Sequence, residues 1–241
     1  MNFFEFDKNE YPIFLDECNT SEKNKLFADL VNSHHSYKSY NPGPTRRIHW
    51  LIRESETGNL IGAIGLSSAT IAIKCRDNYI GWNKSQRLKN LGKLGNNSRF
   101  CIIPNKSNIK NIGSMSLKQL SIVGAKRWKE KYLEPLLMIE TFVQIERDKE
   151  YNGQQKRSGS VYRANNWIEV GMTSGVSIKK SPDALWKKEK GIRGDLARKD
   201  PAACREKYGY KDGQEYTVSK SLPKIMFIKP LVWNWKKILL T

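Results

Sequence analysis

Metal-ligand spacing is missing from this chain. Its four cysteines, Cys18, Cys75, Cys101 and Cys204, stand far apart with no Cys-x-x-Cys pair, and its three histidines form no His-x-x-x-His pair. These gaps exclude a zinc ribbon, a zinc deaminase and a His-Cys box, and no metal is expected. Reduced, mostly buried thiols are the expected state of the cysteines. No apolar run approaches the roughly 18 to 20 residues that span a bilayer, so no membrane partner is expected. The opening residues Met-Asn-Phe-Phe-Glu-Phe-Asp carry acids where a secretory signal would carry lysines, and a cytoplasmic protein is expected. Acids are also sparse where a two-metal nuclease would need three or four of them clustered. Only Asp77 and Glu140 lie in distinctive contexts, while Asp195 and Asp200 sit in basic surroundings and read as solvated.

What the chain has in excess is positive charge. Its 241 residues hold 42 Lys and Arg against 24 Asp and Glu, a formal net charge of +18. A folded protein accepts such self-repulsion most readily when its partner is a polyanion, so nucleic acid, and DNA in particular, is the expected partner. Codon drift in a low-GC genome also enriches lysine. Residues 176–241 alone hold 16 Lys and Arg against 7 Asp and Glu. Three segments interleave cations with rings: Arg46-Arg47-Ile48-His49-Trp50, Trp186-Lys187-Lys188 and Trp233-Asn234-Trp235-Lys236-Lys237. Arg46, Arg47, Trp50, Lys187, Lys188 and Lys190 are thereby candidate nucleic-acid contacts, through phosphate pairing and base stacking. Each tryptophan can equally be a core residue beside solvated lysines.

Hydrophobic periodicity supplies the fold class. Leu26, Phe27, Leu30 and Val31 have helical spacing behind Thr20 as N-cap, and a turn is expected at Asn41-Pro42-Gly43-Pro44. Ile48 to Arg53 and Leu60 to Leu66 read as strands joined by a hairpin at Glu56-Thr57-Gly58-Asn59. A basic helical stretch follows Asp77 to Trp82. Arg99 to Ile103 reads as a strand, Ser116 to Lys131 as a helix and Leu136 to Val143 as a buried strand. Tyr162 to Trp167 reads as a short helix, and Ile168 to Met172 and Ile225 to Leu231 as strands. The predicted architecture is α/β or α+β: a mixed, twisted sheet flanked by helices. Residues 1–175 would form the core, 176–222 a basic insertion or extended loop, and 223–241 the closing strand and C-terminal segment.

Three blocks place chemistry beside strands: Gly95 to Pro104, Ile139 to Val143 and Val161 to Trp167. From them come Asn97, Ser98, Arg99, Glu140 and Tyr162 as candidate catalytic residues, with His34 and Asp77 as further acid–base groups. A guanidinium on a rigid strand clamps a phosphate or carboxylate with two prongs, which singles out Arg99, and Ser98 offers a hydroxyl. Asn96, Arg163, Asn166 and Trp82 are candidate substrate contacts. The structural alternatives stand beside these readings. Arg99 and Glu140 can be a buried ion pair between neighbouring strands, Tyr162 a half-buried tyrosine with its hydroxyl paired, and the asparagines partners for backbone groups where strands part. His34 and His35 most simply end a helix.

The element order resembles the acyltransferase fold of the GNAT superfamily. Under that resemblance Arg99 to Ile103 is the fourth strand, Ser116 to Lys131 the cofactor-side helix and Leu136 to Val143 the fifth strand. Tyr162 then falls where such folds often place a general acid. The diphosphate-binding signature is half met by Lys110-Asn111-Ile112-Gly113-Ser114-Met115, making Gly113 and Ser114 the candidate cofactor contacts. Met115 stands where a second small residue belongs, so acetyl-CoA binding is expected to be weak or absent and the donor is left unnamed.

A closer resemblance is to the DruA family of the Druantia anti-phage defence systems, whose relatives also accompany transposases. It is carried by His34-His35 with Tyr37, Gly62 to Ala69, Arg76 to Trp82, Asn96 to Phe100, Glu140 to Val143, Tyr162 to Trp167 and Lys224 to Leu231. Gln144 departs from it, because relatives usually place Asp there. The resemblance implies a role in defence or in a mobile element, with other proteins of such a system as partners. The Ser98-Arg99 pair is also similar to the arrangement in phage Mom-type DNA-modifying enzymes. Two functions follow as expectations: a GNAT-like transferase that modifies a base or nucleotide, or a non-catalytic DNA-binding module that recruits partners.

Overall fold

A computed structural model describes residues 11–35, 40, 45–144, 158–174, 177–180, 217–220 and 223–241. Strand β1 (Ile13–Glu17) leads into helix α1 (Ser21–His34), which begins where the Thr20 hydroxyl accepts a hydrogen bond from the Lys23 amide at 3.3 Å. Strands β2 (Arg47–Glu54) and β3 (Leu60–Ser68) form the expected hairpin, with Gly58 at φ +71° in its turn. Helices α2 (Lys74–Ile80) and α3 (Lys84–Asn90) cross to β4 (Leu94–Ile102). Helix α4 (Ile112–Gln119) continues through one π-helical turn into α5 (Ala125–Tyr132) and returns the chain to β5 (Met138–Gln144). Helix α6 (Ser160–Ala164), strands β6 (Ile168–Met172), β7 (Ser177–Lys180), β8 (Thr217–Lys220) and β9 (Lys224–Pro230), and helix α7 (Trp235–Leu240) complete the order.

Seven strands make one mixed sheet in the order β1-β2-β3-β4-β5-β9-β6. The first four run antiparallel, β4 and β5 run parallel, and β9 lies antiparallel between β5 and β6. This is the fourth-strand, helix, fifth-strand arrangement that the GNAT-like reading requires. One apolar cluster, with Trp50, Ile64, Leu66, Leu117, Trp128 and Phe227, fills the face under α4 and α5. On the opposite face Phe27, Leu30 and Val31 of α1 pack on Leu51, Ala63 and Cys101, while Ile80, Trp82, Met226, Ile228 and Leu239 pack under α2 and α7. Burial pushes the Cys18 thiol up to about 12 and Cys101 up to about 11, so both remain protonated and unreactive.

Several expectations shift. Strand β1 and helix α7 have no counterpart in the sequence reading, and β4 starts at Leu94, five residues before the predicted Arg99. Gly95, Asn96 and Asn97 are poor strand formers that pairing with Ser68, Ser67 and Leu66 holds extended. The 176–221 segment is not simply a loop, since β7 and β8 at its two ends pair as an antiparallel ribbon. Lys187, Lys188, Lys190, Cys204 and the Asn41-Pro42-Gly43-Pro44 turn lie outside the described residues. Among the described residues, no helix is long and apolar enough to cross a membrane.

Candidate active site at the fork between β4 and β5

Pairing between β4 and β5 covers three positions, Leu94 with Met138, Gly95 with Ile139 and Asn96 with Glu140. Both strands continue beyond that row, so they part like a fork. The register of β4 against β3 also slips here: Gly65 faces Arg99 while Leu66 faces Asn97, leaving Ser98 as the extra residue of a bulge. The bulge reverses the alternation of side chains, so Asn97 faces the α4 side and Arg99 the α1 side. Asn97 is nearly buried. With its amide nitrogen turned toward two carbonyls it donates to Arg99 O at 2.9 Å and Gly65 O at 3.3 Å. Its amide oxygen then faces the Tyr162 hydroxyl, 3.4 Å away. Thr141 of β5 closes the group, its hydroxyl lying 3.1 Å from Asn97 O and 3.5 Å from the Tyr162 hydroxyl. Asn97, Ser98, Tyr162 and the unforeseen Thr141 are thus brought together at the fork. Thr141 lies inside a recognised block, and its proximity comes from the parallel register, which no local pattern carries.

Glu140 and Asp77 belong elsewhere. Glu140 is 0% exposed and its ion-pair partner is Arg76, itself 0% exposed, at 2.9 Å; the expected partner Arg99 is not involved. Arg76 also pairs with Asp77 at 2.8 Å and donates to Thr70 O and Ile71 O, while the Thr70 amide donates to Glu140 at 2.9 Å. Arg87 completes the group by pairing with Asp77 at 2.9 Å. Burial raises the Glu140 pKa, and Arg76 and the Thr70 amide oppose it. Two guanidiniums balance two carboxylates, and although Arg87 Nε has no partner among the described residues, the group ties α2 to β5, which corrects the catalytic expectation for Asp77 and Glu140. Trp82 is corrected likewise, since its ring is buried under the Arg76 guanidinium and its indole N–H donates to Leu239 O at 2.7 Å.

On the α1 side of the fork, the β-ladder aligns Arg47, Ser67, Asn96 and Glu140 in one row, and His49, Gly65 and Arg99 in the next. Residues opposite each other in a ladder share a face. A Cβ on Gly65 would come within 2.9 Å of the His49 ring, and that space lets His49 lie flat against Phe27 with ring centroids 4.1 Å apart. The Tyr40 hydroxyl and His49 Nδ1 are 3.4 Å apart. Burial, with Arg47, Arg99 and Lys131 nearby, drives the His49 pKa down to about 4. Arg99 donates from Nη1 to Ser98 O at 2.6 Å. Its buried Nε, the buried Nη1 of Arg47 and the buried Oδ1 of Asn96 have no hydrogen-bond partner among the described residues.

The helix that would carry a diphosphate is covered. A Cβ on Gly113 would lie 2.7 Å from Val161, and the Asn165 amide donates to Ser114 O at 2.8 Å, so α6 packs against the first turn of α4. Gly113 therefore serves helix packing, which corrects the cofactor reading of Gly113 and Ser114. The obstruction also differs from the expected one, since Met115 packs against the apolar core.

The remaining candidates scatter. Trp50 is 1% exposed in the core and is not available for base stacking, a correction that alternation along a central strand explains. Arg46 pairs with Glu134 at 3.0 Å over the Tyr132 ring. Arg163 pairs with Glu169, over the Phe227 ring, on the far side of α6. Asn166 takes φ +56° in the turn before β6, a backbone role. His34 is exposed at the end of α1. Trp233, by contrast, is 92% exposed, two residues before Trp235, whose ring stacks on Tyr79, itself under Lys236. Among the described residues no group of three His, Cys, Asp or Glu could hold a metal.

Comparison with known proteins gives a family and a distant structural likeness. An aminoglycoside 6'-N-acetyltransferase complexed with coenzyme A is 10% identical, with 91% of this chain and 97% of that chain covered, at TM-score 0.45. A GNAT family acetyltransferase from Elizabethkingia anophelis with acetyl-CoA bound is 11% identical, with 91% and 98% covered, at TM-score 0.39. Such distant likeness carries no argument about activity, and the fold assignment rests on the strand order above. No curated protein sequence matches. The family described as Druantia protein DruA matches residues 5–239, nearly the whole chain, and the chain therefore belongs to the DruA family.

Proposed function

We propose that this DruA-family chain is a GNAT-like group transferase acting on nucleic acid, in anti-phage defence or a mobile element, with its chemistry at the fork between β4 and β5. The observation that carries the reading is the Ser98 bulge at the row where sheet pairing ends, with the Tyr162 hydroxyl 3.4 Å from the Asn97 amide and 3.5 Å from the Thr141 hydroxyl, which itself donates to Asn97 O at 3.1 Å. In this reading Tyr162 protonates the departing donor group, Asn97 and Thr141 orient its hydroxyl, and Ser98 hydrogen-bonds the acceptor. The packing of α6 on α4 supports a donor other than acetyl-CoA. The net charge of +18 and the exposed Trp233 beside Lys236 and Lys237 support a polyanionic, base-stacking acceptor such as DNA.

A second reading, a non-catalytic DNA-binding module that recruits defence or transposition proteins, is favoured by the Thr141 bridge across the fork and by the burial of Tyr162. Mass spectrometry of nucleosides from cells expressing the protein separates the two. A transferase yields a new nucleoside species that disappears with Tyr162→Phe or Asn97→Ala. DNA binding without any altered nucleoside would leave only the module.

A further inference from the structure

Arg47, Asn96 and Arg99 form an incomplete hydrogen-bonding group on the α1 face of the sheet. They come from adjacent rows of β2 and β4, the side chains of all three are half-buried, and each has a buried polar atom without a partner. Neither guanidinium has a carboxylate partner among the described residues, although eight guanidinium–carboxylate pairs are formed elsewhere among them. Leaving a buried donor or acceptor unsatisfied is unfavourable, and more so for a charged group, so three in two neighbouring rows is a costly arrangement for a scaffold. The two donors suit an anion and the single acceptor suits an N–H or O–H attached to it. A phosphate ester bearing a sugar or base has both features, whereas a bare anion uses only the first.

We propose that Arg47 and Arg99 hold a nucleotide phosphate on this face while Asn96 accepts a hydrogen bond from the attached sugar or base. Asn96 belongs to the last paired row before the strands part, so a nucleotide held there lies at the mouth of the fork, one residue from Asn97 and two from Ser98. The low pKa of His49 fits the same surroundings: burial keeps the ring neutral first, and the charges of Arg47, Arg99 and Lys131 add to it. The choice of a nucleotide over other phosphate esters rests on the nucleic-acid reading above; the anion site does not.

Calorimetric titration of the full chain with inorganic phosphate, a deoxynucleoside monophosphate and a short single-stranded oligonucleotide tests it. Arg47→Gln and Arg99→Gln should each weaken nucleotide binding at least tenfold, while Lys25→Gln, an equal loss of charge on exposed α1, should change it less than twofold. Asn96→Ala should weaken the nucleotide more than inorganic phosphate. Equal affinity for monophosphate and oligonucleotide identifies a free nucleotide as ligand, and an oligonucleotide bound at least tenfold tighter identifies a strand; both support the site. Circular dichroism of each variant accompanies the titrations, with Arg99→Lys replacing any glutamine variant that does not fold and expected to lose affinity as well. Absence of nucleotide binding by the wild-type chain, or arginine variants that bind no more weakly than Lys25→Gln, would overturn the proposal. Binding without an altered nucleoside in cells would leave this site standing and remove the transferase reading.

Discussion

Along one face of the sheet, Arg76 and Arg87 sit with two carboxylates, whereas Arg47 of β2 and Arg99 of β4, either side of β3, sit with none among the described residues. The first group is closed in charge: its charges cancel and Arg76 donates to Asp77, Glu140, Thr70 O and Ile71 O, leaving only Arg87 Nε without a partner among the described residues. The second is open, with partnerless atoms on Arg47, Asn96 and Arg99. The same residue type thus does opposite work a few ångströms of sheet apart. Where the chain supplies the counter-charge the arginine fastens a helix to a strand, and where it does not the arginine is left to meet a charge from outside.

The closed group predicts the largest effect. Removing one partner of a buried ion pair strands the other, so Glu140→Ala or Arg76→Ala should destabilise the protein by about 3–5 kcal/mol, read from urea denaturation. A loss below about 1 kcal/mol would mean that this group is no more essential than a surface pair, and the contrast would collapse. A smaller effect carries the comparison to the opposite face, where packing rather than charge closes the structure. Gly113→Val forces a side chain against Val161, and overpacking of this kind costs about 1–3 kcal/mol. A thermal melt unchanged by Gly113→Val would show that the first turn of α4 has room for a ligand after all.

The smallest effect probes the open group through His49. Its pKa is about 4 in the folded protein against 6.5 for an unperturbed histidine, so the unfolded chain takes up a proton first as pH falls. The His49 contribution is therefore level above about pH 6.5 and declines from there toward pH 4. The difference in stability between wild type and His49→Gln should change across that window by at most about 1.4 kcal/mol per pH unit. Because Arg99 is one cause of the shift, Arg99→Gln should raise the His49 midpoint in an NMR titration. An unmoved midpoint would place Arg99 outside the field that His49 feels.

Much of the scaffold is legible in the chain because it rests on local patterns. Thr20 before Phe27, Leu30 and Val31 announces α1, and the Gly58 turn between two apolar runs announces the β2–β3 hairpin. Strand β4 was legible only from Arg99 onward, since Gly95 to Asn97 are extended by their neighbours rather than by propensity. The candidate site divides in the same way. Asn97, Ser98, Arg99 and Tyr162 stand out as polar residues beside apolar runs. Which carboxylate meets which guanidinium depends on contacts spanning 64 residues, from Arg76 to Glu140, and the chain offers no local sign of them. Arg47 stands out in the chain as a cation near a tryptophan, and His49 lies two residues on. Their shared face follows from the period of two along β2, a signal that alternation could have yielded.

The contrast between the two arginine groups is tested most directly by measuring denaturation free energy and oligonucleotide affinity side by side for Arg76→Gln and Arg99→Gln. The account predicts a crossed result. Arg76→Gln should lose about 3 kcal/mol or more of stability, whereas Arg99→Gln should change stability by less than about 1 kcal/mol and weaken affinity at least tenfold, about 1.4 kcal/mol. If Arg99→Gln instead loses as much stability as Arg76→Gln while its affinity stays unchanged, both groups belong to the scaffold and the open face holds no ligand.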